Sequence, residues 1–108
     1  MSKFLGGKTI IDAQSADETT GTIPNPPANR RVTIYIETGA GVSAGTVKIE
    51  EAAYAEYAGT WSLIESVSTA AASTCYAVHF ESVFGALRVR FDTAITGGNV
   101  TVRFVTGD

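Results

Sequence analysis

The sequence predicts an all-β chain folded as an antiparallel β-sandwich, and three observations carry that reading. Apolar residues alternate with polar ones in run after run, the period of a pleated strand with one buried and one wet face. The runs are rich in β-branched and aromatic side chains, which suit a half-buried pleated surface. Glycine-based turn signals separate them at intervals of about 10–15 residues, as in sandwiches and barrels. Jelly-roll and immunoglobulin-like strand orders both satisfy this pattern.

Each element follows from its own residues. Thr9, Ile10 and Ile11 read as a short strand and residues 20–23 as another. Pro24, Pro26 and Pro27 then make a stiff, donor-poor connection. Residues 1–30 are therefore set apart from a sandwich domain over residues 31–108. They form an extended N-terminal arm, either an edge strand with a connection running over the surface or an arm reaching a neighbouring subunit. In residues 31–37, Val32, Ile34 and Ile36 alternate with Thr33, Tyr35 and Glu37. Val47 and Ile49 alternate with Thr46, Lys48 and Glu50. Trp61, Leu63, Ile64 and Val67 form a less regular run, which predicts a bulge. Tyr76, Val78 and Phe80 alternate with Ala77 and His79, and Leu87, Val89 and Phe91 with Arg88 and Arg90. Val100, Val102 and Phe104 close the series. Between them, residues 38–45 (TGAGVSAG) and Gly97-Gly98-Asn99 are turns, the latter of a final hairpin. Residues 50–58 (EEAAYAEYA) are a loop with at most a short helix, since good helix formers there end at Gly59.

Composition bounds the function. A chain of 108 residues is one domain, and 44% apolar residues supply a core. Eight Lys and Arg against eleven Asp and Glu, a net charge of −3, argue against nucleic-acid or anionic-membrane binding, which needs a basic footprint. A single Cys rules out an intrachain disulfide framework, and one His with one Cys rules out an ordinary structural zinc site. The first residues lack the apolar stretch of a secretory signal, and no run is long enough to span a bilayer as a helix. A soluble protein made in the cytoplasm is expected.

No catalytic, cofactor-binding or metal-ligating residue emerges. Cys75 and His79 share a face of one predicted strand but stand about 13 Å apart along it, beyond the roughly 3 Å reach of a nucleophile and its base. Glu50 and Glu51 are adjacent and point to opposite faces of an extended chain. The glycines of residues 38–45 precede a strand, whereas a phosphate cradle precedes a helix N-terminus. Asn99-Val100-Thr101 fits a glycosylation sequon by chance.

Two groups are candidates for contact with a partner. Tyr54, Tyr57 and Trp61 are the one aromatic cluster: Trp61 is expected in the core, while the tyrosines keep their hydroxyls wet. Exposed together, the three could instead stack on sugar rings as a carbohydrate-binding module. Arg88, Arg90 and Arg103 are expected on one outer face of the last hairpin. Three guanidiniums there need carboxylates, either the chain's own Glu37, Glu50 or Glu81 or those of a partner.

The segments GTVKIE (residues 45–50), GTWSLI (59–64), FGALRVR (84–90) and ITGGNVTV (95–102), in that order, resemble small virion structural proteins of tailed bacteriophages. The likeness is strongest to β-sandwich capsid decoration, or cement, proteins, and it covers residues 31–105. The resemblance implies a protein without catalytic residues or cofactor that attaches in many copies to the major capsid protein or another virion protein. It further implies a homo-oligomer, with a trimer among the options, made in the host cytoplasm and located on the capsid surface. A tail or baseplate component of the same virion is the alternative.

Overall fold

The computed structural model describes residues 4–23, 31–54, 56–81 and 85–107. Pro24, Pro26 and Pro27 of the predicted stiff connection lie outside the described residues, as do Phe84 and the Glu81 side chain. Eight strands follow one another: β1 (Phe4–Gln14), β2 (Thr20–Ile23), β3 (Arg31–Thr38), β4 (Ala44–Ala52), β5 (Ser62–Ser68), β6 (Cys75–Glu81), β7 (Ala86–Thr96) and β8 (Val100–Gly107). None of the described residues is helical.

The strands form two four-stranded antiparallel sheets in the orders β1-β8-β3-β6 and β2-β7-β4-β5. Of the seven connections, only β4–β5 joins neighbours within a sheet; the other six cross between sheets. This is the double Greek-key arrangement of a jelly roll, and it decides between the two strand orders that the alternation allowed.

The core lies between the sheets. Val32, Ile34 and Ile36 of β3 and Val100 and Val102 of β8 meet Val47 and Ile49 of β4 and Leu87, Val89 and Phe91 of β7. Each side chain comes from an alternating run and points the way its period dictates. Burying one such side chain fully stabilises the fold by about 1.5–3 kcal/mol.

Residues 4–23 are built into this chain's own sheets. β1 pairs along β8 and β2 along β7, so each closes one edge of its sheet. β1 is much longer than the three residues expected. Its register slips between Thr9 and Ile11, which lets Ile11 enter the core while the adjacent Ile10 packs against it. A regular strand would send one of two successive side chains outward. The link between β1 and β2 also follows β7: Glu18 N–H donates to the Phe91 carbonyl, Phe91 N–H to the Thr19 carbonyl, and Ile95 N–H to the Ser15 carbonyl.

Two turns close one end of the sandwich. Residues 39–43 carry the chain from β3 to β4, and residues 97–99 carry it from β7 back to β8, each between sheets. The predicted Gly-Gly hairpin is thus a bridge between sheets. Gly41 and Gly97, with φ of +89° and +90°, abut each other. A Cβ on either would run into the other's carbonyl oxygen, so both the backbone conformation and the close approach require glycine. Gly39 N–H donates to the Asn99 carbonyl and Ser43 N–H to the Thr96 carbonyl, which ties the two turns together. Thr38, buried at the end of β3, accepts a hydrogen bond from Thr74 N–H and donates to the Ala71 carbonyl, fixing the β5–β6 loop beside them.

Candidate functional site

Arg88 and Arg90 have the strand parity opposite to Leu87, Val89 and Phe91, which places them on the outer face of the β2-β7-β4-β5 sheet. In register across β4 stand Glu50 and Lys48, which point outward because Val47 and Ile49 point in. The result is a closed network. Arg88 Nε donates to Glu50 Oε1 at 2.7 Å, and Arg90 Nη2 donates to Glu50 Oε2 at 3.0 Å. Arg90 Nη1 also reaches Glu18 at 2.8 Å and Asp92 at 3.1 Å, and Lys48 completes the row 3.4 Å from Asp92. Three cations thus face three carboxylates.

Glu50 is the hub, and it is buried. Burial alone would raise its carboxyl, but the hydrogen bonds and charges of Arg90 and Arg88 outweigh that and hold it below its ordinary range. The Glu50 hydrogen bond raises Arg90 in turn, against the cost of its own burial. At Asp92 desolvation is likewise overcome, chiefly by the Lys48 charge, and the carboxyl is lowered. Local sequence pattern pointed to Glu50 as one possible partner. It missed Glu18, whose place beside Arg90 depends on the β1–β2 link folding back over β7.

Arg103 stands elsewhere. β8 belongs to the other sheet, so Arg103 lies on the opposite outer face, where it is ion-paired with Glu37 across β3 and raised by that hydrogen bond. The expected common face of three arginines does not form, because the turn after β7 changes sheets. Arg88, Arg90 and Arg103 are each matched by carboxylates of their own chain.

Trp61 is buried, yet it is absent from the cluster between the sheets. Its ring lies under Arg88, the guanidinium carbon 4.5 Å from the ring centroid, a cation–π contact on the outer face. Its Nε1–H donates to the Tyr57 carbonyl at 2.9 Å. Trp61 therefore fastens the β4–β5 loop onto the sheet beside the Glu50 network. The expected core role becomes that of a clamp, and the ring is not available as an open stacking platform.

The aromatic side chains on that loop remain outside. Tyr54 and Tyr57 meet edge to face, their centroids 5.5 Å apart and their planes at 83°. Leu63 stands directly across from Glu50 at the start of β5 and is 55% exposed. Among the described residues, Tyr54, Tyr57 and Leu63 are the exposed large hydrophobic side chains, and all three sit at the turn end of one hairpin. The sequence drew attention to the tyrosines but not to Leu63. The bulge predicted for its strand lies beside it, where the β4–β5 register slips between Ile49 and Glu50; that slip leaves Leu63 outward.

Cys75 and His79 are both exposed on β6. Thr33 Oγ1 and His79 Nδ1 lie within hydrogen-bonding distance, 2.9 Å apart, and Cys75 is in register with Glu37.

No family description matches the sequence, and no curated protein is similar to it. Solved structures share the fold. The crystal structure of the SPBc2 prophage-derived protein YomS superposes with a TM-score of 0.68 at 14% identity, covering 100% of this chain and 96% of that one. A protein of Bacillus endospore appendages, described as a family of disulfide-linked pili, superposes with a TM-score of 0.51 at 12% identity, covering 99% and 88%. The overall fold is thus shared with both.

Proposed function

We propose that this chain is a non-enzymatic structural protein of a tailed-phage or prophage particle, a decoration protein that binds the major capsid protein on the head surface. The end-to-end likeness of its fold to a prophage-derived protein carries this reading. The virion motifs in residues 45–50, 59–64, 84–90 and 95–102 point the same way. The exterior supports it too: among the described residues Arg88, Arg90 and Arg103 are paired within the chain, and Tyr54, Tyr57 and Leu63 are the large hydrophobic side chains left exposed. Many copies on a symmetric shell would turn a modest contact at each into strong attachment, and binding only the assembled shell would stabilise that state by mass action. The protein would act as a homo-oligomer, a trimer suiting a three-fold junction between capsomers.

Purified protein mixed with heads that lack it tests the reading. Saturable, stoichiometric co-sedimentation is the expected result, and heads that stay bare at saturating protein refute it. The position of the bound protein by electron cryo-microscopy separates the head from the tail or baseplate.

A further inference from the structure

Among the described residues β1 joins its sheet through β8 alone. Its ladder is broken three times, between Leu5 and Lys8, Thr9 and Ile11, and Ile11 and Gln14. In the last of these breaks Ala13 holds a left-handed backbone, with φ of +48°. β1 advances three residues there, from Ile11 to Gln14, while β8 advances two, from Val102 to Val100. A left-handed bulge position suits glycine, because any other residue brings its Cβ too close to the following carbonyl oxygen. Ala13 N–H donates to the Thr101 hydroxyl at 3.1 Å, a side-chain contact where a regular strand would use a carbonyl of its neighbour. The chain just beyond is fixed. Ser15, Glu18 and Thr19 hydrogen-bond through their backbones to β7, and Glu18 is paired with Arg90. A strained residue thus stands between a strand held by one neighbour and a link anchored to the other sheet.

Turning Ala13 from left-handed to extended relieves that strain and redirects β1 away from its own β8. The same turn bares the edge of β8 and takes Ile11 out of the core. The strand that fits this place is β1 of another copy, which restores every pair, Ile11 beside Val102 included. Closed and exchanged forms then share their contacts and differ at the hinge, so a short connection under strain favours exchange. We propose that β1 is an exchangeable strand: in the assembled protein it completes the β1-β8-β3-β6 sheet of a neighbouring copy, with Ala13 as the hinge. The partner is a second copy of this chain, since the β8 edge and the seat of Ile11 are already shaped for β1. Passed from copy to copy, the strand closes a ring. The inference rests on the homo-oligomer part of the proposed function and is independent of the capsid.

Isotope-filtered NMR tests this on the unaltered full-length chain. Isotope-labelled and unlabelled copies are unfolded together in urea, refolded as a mixture and concentrated, with the assembled mass read by sedimentation. The expected result is an oligomer showing Overhauser contacts between Ile11 of a labelled copy and Val102 of an unlabelled one. Contacts confined to single copies overturn the inference, whether the protein sediments as a monomer or as an oligomer joined through another surface. The hinge has its own test. Glycine adopts the left-handed conformation without steric cost, so Ala13→Gly favours the closed single copy. It should raise the dissociation constant of the oligomer at least about fivefold. An unchanged or lowered constant overturns Ala13 as the hinge. Capsid binding is read separately. Exchange between copies in a protein that leaves heads bare refutes the capsid reading alone. Heads that bind a protein whose Ile11–Val102 contacts stay within one copy refute the exchange alone.

Discussion

The Arg88 guanidinium lies over the Trp61 ring, 4.5 Å from its centroid, while its Nε holds Glu50 at 2.7 Å. One side chain therefore joins the clamp of the β4–β5 loop to the only charged hub that is buried among the described residues. Removing either partner affects both.

Trp61→Ala is expected to destabilise the protein by about 3 kcal/mol, through lost burial and a loosened loop. The cation–π part is separable. A double-mutant cycle of Trp61→Leu with Arg88→Lys should give a coupling energy of about 1 kcal/mol, measured by urea denaturation. A coupling near zero would mean that Arg88 serves Glu50 alone.

The acid limb of stability belongs to Glu50 and Asp92. Both carboxyls are lowered in the folded protein, so between the folded and unfolded values the unfolded chain binds more protons. Their stabilisation is fully present above the unfolded value, 4.5 for Glu50, and is lost as pH falls through the folded one. The melting temperature should hold steady from pH 7 to about 5 and decline below that. Glu50→Gln should cost about 3 kcal/mol of stability at neutral pH, read as a lower melting-temperature plateau, because Arg88 and Arg90 lose their shared counter-charge, and should flatten the acid decline. A Glu50→Gln profile parallel to the parent's would assign the acid limb to other groups.

The N-terminal segment is expected to be essential for folding. Ile11 and Ile23 are core residues, and β1 and β2 cover the edges of β8 and β7. Deleting residues 1–23 would remove two buried isoleucines and expose two long strand edges that invite aggregation. The truncated protein should be insoluble or lack a cooperative transition by circular dichroism. A soluble product with a sharp melt would show that six strands suffice.

What the sequence made legible was whatever its period controls. The inward sets of β3, β4, β7 and β8 are the alternating residues of their runs, since register in a one-sided strand follows the hydrophobic pattern. What it left hidden was set by topology. Whether Gly97-Gly98-Asn99 turns a hairpin or crosses between sheets depends on where β8 finds its partners, and that choice moved Arg103 to the far face. Ile10 and Ile11 looked like a short strand because a bulge breaks the alternation on which strand length is judged. Glu18 met Arg90 through a backbone link that no local pattern encodes.

Thr69 offers the most direct test of side-chain satisfaction in the core. Its residue is fully buried, and its N–H donates to the Gly45 carbonyl, but its Oγ1 has no hydrogen-bond partner among the described residues. A buried hydroxyl without a partner carries a desolvation cost that a methyl group of similar size does not. Thr69→Val keeps the β-branched shape at this buried position beside Gly45 and is expected to stabilise the protein by about 1 kcal/mol. Urea midpoints at unchanged slope measure it. A loss of stability would show that Oγ1 is satisfied in solution and holds the end of β5 in place.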